Sequence, residues 1–174
     1  MAAIASNLPE NAPRAEARAG KYLTFRLGQE EFGMHVLQVR EIMGLQDITV
    51  VPHTPAHVKG VINLRGKVIP VLCLRSKFGM EMDPAGQSCI IVAQVAGDEG
   101  PIQLGIIVDA VSDVLNIAPS DIEDTPDFGA GSVPPYLLGM AKIKGKVKIL
   151  LDMDQVVKAA ELAPLNGTDH EHNA

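Results

Sequence analysis

The stretch Gly60-Val-Ile-Asn-Leu-Arg-Gly-Lys-Val-Ile-Pro-Val-Leu72 consists of two short apolar runs on either side of Arg65-Gly66. Val and Ile at the centres of the runs are typical of strands, because branched side chains fit a pleated surface. A two-residue connection that ends in Gly is typical of a tight hairpin turn. The stretch therefore predicts a β-hairpin, and the same pattern decides how the rest of the chain is organised.

A second stretch repeats this pattern: Gly139-Met-Ala-Lys-Ile-Lys-Gly-Lys-Val-Lys-Ile-Leu-Leu151, with Lys144-Gly145 at the turn. A further matching pair, Gly33–Met43 and Gly105–Leu115, precedes the two hairpins. The two pairs are offset by 72 and 79 residues, so the second copy is seven residues longer, and the acidic loop 121–131 can accommodate them. The matching Gly positions and the shared Gly-Lys-Val favour a duplicated β unit over chance matches between apolar residues.

Most of the other patterns are also those of strands. Tyr22–Leu27 alternates strictly, with Leu23, Phe25 and Leu27 on one face, and predicts a half-buried strand. Further predicted strands are 48–51, 61–64, 68–72, 89–95, 103–108, 139–143 and 147–151. Five short strands in about 60 to 70 residues predict a small closed barrel, since closure removes exposed edges. We therefore predict two such barrels, packed against each other.

The ends of the fold are predicted from capping and composition. Ser120 and Glu123 form a potential capping box, and Asp152 is a potential N-cap for a final helix from Met153 to about Leu162. Residues 1–20 and 163–174 are small and polar, which predicts flexible tails. The folded domain is then 21–162, with barrels at about 21–85 and 86–162, and an exchange of terminal elements between them stays open.

The composition excludes several classes of protein. Apolar residues make up 47% of the 174 residues but aromatic residues only 3%, so the core must be aliphatic. The formal charge of −6 argues against nucleic acid as a partner, because phosphate binding needs a basic face. Two cysteines cannot form a disulfide framework, and no stretch approaches the ~20 apolar residues that span a bilayer. These features predict a cytoplasmic protein.

Three motifs that resemble sites of chemistry have the wrong context. The segment 60–67 departs from phosphate-loop spacing and lacks the following Ser or Thr that would bind magnesium. His53 and His57 lie four residues apart, but prolines disfavour a helix that would align them on a metal. Asp109 and Asp113 have the spacing of paired carboxylates, yet solvation in an acidic region explains them better. We therefore predict no catalysis, no cofactor and no metal.

Charge is unevenly distributed along the chain. Residues 21–80 contain eight Lys or Arg and four Asp or Glu, whereas residues 81–141 contain ten Asp or Glu and no Lys or Arg. Solubility and two faces for different partners explain this equally well. Glu41, in an apolar stretch, and Arg65, at the hairpin turn, are candidates for an interaction face. The residues alone leave open whether the two are close in space.

These residues also carry a family resemblance. The blocks Val39-Arg-Glu-Ile42, Thr54-Pro-Ala-His-Val-Lys-Gly-Val-Ile-Asn-Leu-Arg-Gly66, Ile69-Pro-Val-Leu-Cys-Leu-Arg75 and Leu104-Gly-Ile-Ile-Val-Asp-Ala-Val-Ser-Asp-Val-Leu115 resemble the CheW chemotaxis coupling family. The resemblance covers about Lys21 to Leu162. It implies a mainly β fold class: two SH3-like five-stranded β-barrels packed together, with a C-terminal helix.

The resemblance also implies a function in signal transduction without catalysis. Such a scaffold couples the cytoplasmic tips of methyl-accepting chemoreceptors to the regulatory domain of the histidine kinase CheA. It would be associated with receptor arrays at the inner membrane, without inserting into it. Two alternatives stay open: the same adaptor in a chemosensory system that does not control flagella, and a small ligand-binding barrel. The latter would need convergent polar groups in an apolar pocket, and the sequence shows none.

Two sets of site residues follow from the same resemblance. The implied receptor-binding residues are Val39, Glu41, Gly60, Arg65, Gly66 and Val114. The implied kinase-binding residues are Phe128 and Glu123. The chain departs from the family at two positions: Cys73 stands where Asp is usual, and Glu123 stands where some relatives carry a basic residue. We expect Cys73 to be a packed strand residue.

Overall fold

Two antiparallel-rich sheets account for most of the computed structural model, which describes residues 18–81, 88–97, 99–124 and 134–159. The strands are β1 (Gly20–Leu27), β2 (Glu30–His35), β3 (Val39–Gly44), β4 (Val58–Leu64), β5 (Lys67–Cys73), β6 (Cys89–Gly97), β7 (Gly100–Val108), β8 (Ala110–Ile117), β9 (Ile122–Glu123), β10 (Leu137–Ile143) and β11 (Lys146–Leu151). The helices are α1 (Leu74–Lys77) and α2 (Met153–Ala159), and short 3-10 turns cover Val36–Gln38 and Pro119–Asp121. The first sheet has the order β3-β6-β7-β5-β4 and the second β8-β1-β2-β11-β10-β9.

The sheets confirm the internal repeat and show that its two copies are interleaved. In the first sheet β5 runs parallel to β7, with Val71 opposite Gly105, and in the second β11 runs parallel to β2, with Leu150 opposite Gly33. Gly33 and Gly105 are related by the offset of 72, and Val71 and Leu150 by the offset of 79. Each sheet therefore combines two strands of one copy with the remaining strands of the other.

The exchange of elements that the sequence left open between the predicted barrels, at about 21–85 and 86–162, takes this interleaved form. Strands β6 and β7 belong with β3, β4 and β5, while β1 and β2 belong with the C-terminal strands. The parallel pairs explain why, since β2 and β7 each join the last hairpin of the other copy. The second sheet also has a sixth, two-residue strand, β9, whose counterpart in the first sheet is a single bridge between Thr49 and Val61.

Three apolar clusters fill this arrangement, one inside each sheet and one between the sheets. Ile62 and Val71 lie in the first sheet's own core, and their repeat partners Ala141 and Leu150 lie in that of the second. The largest cluster joins both sheets, because β1 contributes Leu23, Phe25 and Leu27 and β6 contributes Ile91, Ala93 and Val95. The core is aliphatic apart from a few rings, as the composition requires.

The prediction that β1 is half-buried is wrong. Its apolar face packs between the sheets, but Tyr22 and Thr24 on the opposite face are also buried. Tyr22 lies in the core of the second sheet, and the Thr24 hydroxyl exchanges hydrogen bonds with the backbone of Asp113. A strand shared by two cores buries both faces, so alternating polarity does not report its exposure.

Both predicted hairpin turns are confirmed. Arg65 and Gly66 have φ angles of 52° and 86°, and Lys144 and Gly145 have 53° and 78°. Positive φ at both central residues matches the right-handed twist of the strands that they connect.

Two glycines permit close approach of a crossing segment. Gly60 has a φ of 143°, and a Cβ atom there would lie 2.0 Å from the Thr49 carbonyl oxygen. Its repeat partner Gly139 has a φ of 153°, and a Cβ atom there would lie 2.8 Å from the Glu123 carbonyl oxygen. The matching glycines therefore preserve the same backbone crossing in both copies.

Several local predictions have different outcomes. The Asp152 carboxylate accepts backbone hydrogen bonds from Asp154 and Gln155, so the cap of α2 is confirmed, although residues beyond 159 lie outside the described part of the chain. The Ser120 capping box is wrong, because that segment forms a 3-10 turn followed by β9. The predicted strand 48–51 is a single bridge, whereas β2, β3 and β8 were not predicted.

The fold begins earlier than predicted. Strand β1 starts at Gly20, and Arg18 is buried, where its guanidinium bonds to the Leu138 carbonyl oxygen at 2.8 Å and to Asp124 at 3.0 Å. The Tyr22 hydroxyl donates to the Arg18 carbonyl oxygen, and burial raises the pKa of Tyr22 to about 12. Residues 1–17 of the predicted N-terminal tail and the whole predicted C-terminal tail, 163–174, lie outside the described residues. No helix within the described ranges is long and apolar enough to cross a bilayer.

Candidate protein-interaction surface

An exposed ion pair joins the two edges of the first sheet. Arg65 Nη1 lies 2.6 Å from Glu41 Oε2, although β3, which carries Glu41, and β4, which ends at the Arg65 turn, are the outermost strands of that sheet. The contact therefore shows that the sheet curls until its edges meet, as in a small barrel. The Glu41 and Arg65 side chains remain 28% and 71% exposed. This answers the question that the sequence left open.

Electrostatics hold this pair in its charged form. The hydrogen bond from the Arg65 guanidinium lowers the pKa of Glu41 below its usual value, and the Glu41 carboxylate raises the pKa of Arg65. An exposed pair of this kind adds little to stability, because water solvates both charges well when they are apart. Its consequence is geometric, because it fixes the direction of a guanidinium that stays mostly exposed to solvent.

Local backbone features place both charges. A β-bulge at Arg40 lies between Val39, opposite Ala93, and Glu41, opposite Val92, so that Glu41 is turned relative to the regular pleat. At the hairpin, the Asn63 side chain accepts a hydrogen bond of 2.8 Å from the Gly66 backbone N–H, which stabilises the turn that carries Arg65.

Exposed apolar side chains flank the ion pair in the sequence. Ile42 follows Glu41 on β3 and is 46% exposed, and Val68 lies on β5 next to the turn and is 65% exposed. Val39 differs, since it is half-buried and packs against the cluster between the sheets. We call Glu41, Ile42, Arg65 and Val68 the first face. It combines an oriented ion pair with apolar area, which is the composition of a protein-docking surface.

The structure separates the sequence-predicted site residues. Val39, Glu41, Gly60, Arg65 and Gly66 all belong to the first sheet, but Val114 lies on β8, an edge strand of the second sheet, where it is 48% exposed. Glu123 lies on β9 of the second sheet, and its carboxylate is 2.7 Å from Lys142 Nζ. Phe128 lies outside the described residues.

Sequence reasoning missed a clamp around Asp109. Its carboxylate accepts hydrogen bonds from Arg75 Nε at 2.8 Å, from Arg75 Nη2 at 2.5 Å and from the Gly28 backbone N–H at 2.7 Å. The Arg75 bond lowers the pKa of Asp109, so the prediction that solvation explains this carboxylate is wrong. Gly28 lies in the β1–β2 turn of the second sheet, whereas Arg75 and Asp109 follow β5 and β7 of the first sheet. The clamp therefore connects the two sheets. Both charged residues follow the ends of adjacent parallel strands, a signal that only the topology reveals.

The remaining candidates from the sequence are the two cysteines and the possible metal ligands. Cys73 is buried at the end of β5 and is not in a disulfide, which confirms its prediction as a packed residue. Burial raises the pKa of the partly exposed Cys89 thiol. Within the described residues, no group of His, Cys, Asp and Glu side chains is arranged to hold a metal ion.

Comparison with known proteins shows to which family the chain belongs. The family model described as CheW, CheW-like domain, matches residues 21–161. The chain belongs to the CheW-like family. It is 38% identical over 153 residues to the chemotaxis protein CheW of Rhizobium meliloti, covering 87% of this chain and 96% of that protein. It is 32% identical to the chemotaxis protein CheW of Klebsiella aerogenes, covering 87% of this chain and 90% of the relative.

A solved structure supports the same assignment. The scaffolding protein TtCheW from Thermoanaerobacter tengcongensis superposes with a TM-score of 0.69 at 32% identity, covering 79% of this chain and 92% of that chain. Protein FrzA of Myxococcus xanthus is a more distant relative, 28% identical over 158 residues, with 87% of this chain and 94% of FrzA covered. The two-barrel fold class predicted from the CheW resemblance is thereby confirmed.

Proposed function

We propose that this chain is a non-enzymatic adaptor that couples chemoreceptors to the histidine kinase CheA in receptor arrays at the inner membrane. The observation that carries the proposal is the oriented Glu41–Arg65 pair at 2.6 Å, with exposed Ile42 and Val68 close to it in the sequence, in a chain of the CheW-like family. Arg is a frequent anchor at protein interfaces, because its guanidinium offers several donors on a planar group. We assign this first face to the receptor.

Rigidity of the first face favours binding without reorganisation. Glu41 and Arg65 come from opposite edges of one closed sheet, and Gly60 and Gly66 permit the backbone crossing and the turn that bring them together. A partner that docks here orders few additional groups, so little of the contact energy is lost to entropy.

We assign the kinase contact to Glu123, on β9 of the second sheet, and to Phe128, which lies outside the described residues. The departure at Glu123 is partly offset by its neighbour, because Lys142 Nζ lies 2.7 Å from the Glu123 carboxylate and supplies a cation at the same place. Glu123 lies on a different sheet from the first face, and separate surfaces are what an adaptor needs if each partner is to bind without displacing the other.

The decisive experiment compares Arg65→Glu with a charge swap. Co-sedimentation with receptor-containing membranes measures receptor binding, titration with the isolated CheA regulatory domain measures kinase binding, and circular dichroism monitors folding. We expect Arg65→Glu to lose most receptor binding while folding and CheA affinity are retained. The double variant Glu41→Arg/Arg65→Glu restores an ion pair but reverses its direction, so receptor binding should stay low.

A matched variant tests the second contact. Phe128→Ser should preserve receptor binding and weaken kinase binding by about 30-fold, because truncating an aromatic anchor costs about 2 kcal/mol. If Arg65→Glu weakens both partners equally with an intact fold, the assignment to separate faces is wrong. If the charge swap restores receptor binding, the pair acts through barrel structure and does not contact the receptor.

A further inference from the structure

The polypeptide passes from one sheet to the other at two places that the repeat relates. Among the described strands, β2 of the second sheet is followed by β3 of the first, and β7 of the first is followed by β8 of the second. The first crossover is the turn Val36–Gln38, and the second is Asp109. The offset of 72 relates Leu37 to Asp109, so the two crossovers are equivalent positions in the two copies.

Each crossover is held by the short helix that follows a hairpin. Helices α1 and α2 begin 79 residues apart, so Arg75 and Asp154 are the second residues of equivalent helices. Arg75 binds Asp109 at the second crossover. Asp154 Oδ1 accepts a hydrogen bond of 3.0 Å from Gln38 Nε2 at the first crossover. We call the Gln38–Asp154 contact the first joint and the Arg75–Asp109 contact the second joint.

One backbone N–H from the opposite sheet completes each joint. Gly28, in the β1–β2 turn of the second sheet, donates to Asp109 Oδ2 at 2.7 Å. Ala96, near the end of β6 in the first sheet, donates to Asp154 Oδ1 at 3.0 Å. The β6–β7 hairpin is the repeat partner of the β1–β2 hairpin, as the pairing of β2 with β7 by the offset of 72 requires. A carboxylate therefore links the two sheets at both joints in the same way.

The two joints differ in strength. At the second joint both side chains are charged, two guanidinium nitrogens donate to the carboxylate, and the side chains are only 14% and 19% exposed. At the first joint the side-chain donor is a neutral amide, and a single oxygen of Asp154 accepts both hydrogen bonds. Hydrogen bonds between two charged groups are stronger, and a bidentate pair also holds its geometry. The first joint should therefore open before the second.

The first joint holds the beginning of β3. Gln38 immediately precedes Val39, the first residue of that strand, and the bulge at Arg40 interrupts the pairing with β6 before Glu41. Pairing with β6 fixes the strand beyond the bulge, whereas the direction in which the strand starts depends on the crossover. A carboxylate on the helix that follows the second sheet thus controls where a strand of the first face begins.

We propose that the first joint is the one that opens between the barrels while the second stays closed, and that Asp154 is a positioning residue for the start of β3. Opening of the first joint leaves the sheets linked through Gly28 and Asp109 and through the apolar cluster between them, so the barrels pivot and do not separate. The inequality of the joints is independent of any partner. Its consequence for receptor affinity rests on the proposed function.

Hydrogen exchange followed by NMR on the full-length, 15N-labelled chain reports on each joint through its own backbone N–H. We expect the protection factor of Ala96 to be at least about tenfold lower than that of Gly28. Asp154→Ala should remove the protection of Ala96 and preserve that of Gly28, whereas Asp154→Asn keeps a carbonyl acceptor and should retain most of it. Gln38→Lys replaces the amide by a cation and should raise the protection of Ala96 by about threefold.

Two binding measurements distinguish a positioning role from a merely structural one. The probes are the purified cytoplasmic signalling fragment of a chemoreceptor from the same organism and the isolated CheA regulatory domain. Asp154→Ala should weaken fragment binding by about fivefold with CheA affinity unchanged, and Asp154→Asn should restore it. Asp47→Ala, which removes an exposed carboxylate, is the matched control and should leave both affinities unchanged. If Asp154→Ala fails to fold by circular dichroism, Gln38→Ala, which removes only the amide donor, takes its place.

Each part of the inference has its own contradicting result. Equal protection of Ala96 and Gly28, or loss of protection at Gly28 in Asp154→Ala, refutes the inequality of the joints. Equal weakening of both partners by Asp154→Ala, or no recovery with Asp154→Asn, refutes the positioning role. Absence of fragment binding by the wild type, or no effect of Arg65→Glu, refutes the proposed function itself, and the exchange measurement still decides the inequality of the joints because it needs no partner.

Discussion

The Asp109 clamp leads to a prediction about stability and its dependence on pH. The side chains of Arg75 and Asp109 are only 14% and 19% exposed, and the carboxylate accepts three hydrogen bonds that connect the two sheets. Asp109→Asn removes the charge but keeps one carbonyl acceptor. Losing one partner of a buried ion pair costs about 3–5 kcal/mol. Residual exposure and the remaining acceptor reduce this, so we expect a loss of about 2 kcal/mol in the free energy of unfolding.

This loss should depend on pH with a definite sign. The pKa of Asp109 is lowered in the folded state, chiefly by the Arg75 hydrogen bond. A lowered pKa stabilises the fold fully above the pKa of the unfolded chain, about 3.9, and the contribution is lost as pH falls through the lower folded value. The difference between wild type and Asp109→Asn should therefore be largest at neutral pH and shrink below about pH 4.

Urea denaturation followed by far-ultraviolet circular dichroism measures this at several pH values. For a chain of this size a loss of about 2 kcal/mol corresponds to a melting temperature lower by about 4–8 °C. Asp47→Asn, which removes an exposed carboxylate, is the matched control and should change little. In a double-mutant cycle, Asp109→Asn with Arg75→Met should be less destabilised than the sum of the single variants by about 1–2 kcal/mol. A coupling near zero, or an Asp109→Asn effect no larger than that of Asp47→Asn, would refute the reasoning.

The remaining predictions concern buried positions. Gly60→Ala should cost more than about 2 kcal/mol in unfolding free energy, because its Cβ atom would lie 2.0 Å from the Thr49 carbonyl oxygen at a φ of 143°. Gly44→Ala meets open space and is the control; equal urea midpoints for the two variants would contradict the prediction. Cys73, which is 1% exposed, should react with a thiol reagent far more slowly than after denaturation, and more slowly than the half-buried Cys89. Rapid labelling of Cys73 in the folded chain, located by mass spectrometry, would show that it is accessible.

Much of this fold is determined by local sequence. Gly60–Leu72 and Gly139–Leu151 specify their hairpins because Arg65-Gly66 and Lys144-Gly145 are suited to left-handed turns and the flanking apolar runs are suited to strands. The same residues reveal the duplication and the family. The cap at Asp152 is equally local, since its carboxylate bonds to backbone groups two and three residues ahead.

Only the tertiary structure decides what depends on contacts distant in sequence. The copies exchange strands because β5 pairs in parallel with β7 and β11 with β2, and no local pattern encodes which distant strand becomes a neighbour. Closure of the first sheet brings Arg65 to Glu41, and the parallel pairing of β5 with β7 brings Arg75 to Asp109. Tertiary packing also buries Tyr22 and Thr24, on the face of β1 that the alternating pattern predicted to be exposed. Residue types identify groups that are able to pair, whereas the direction and closure of the sheets determine which of them meet.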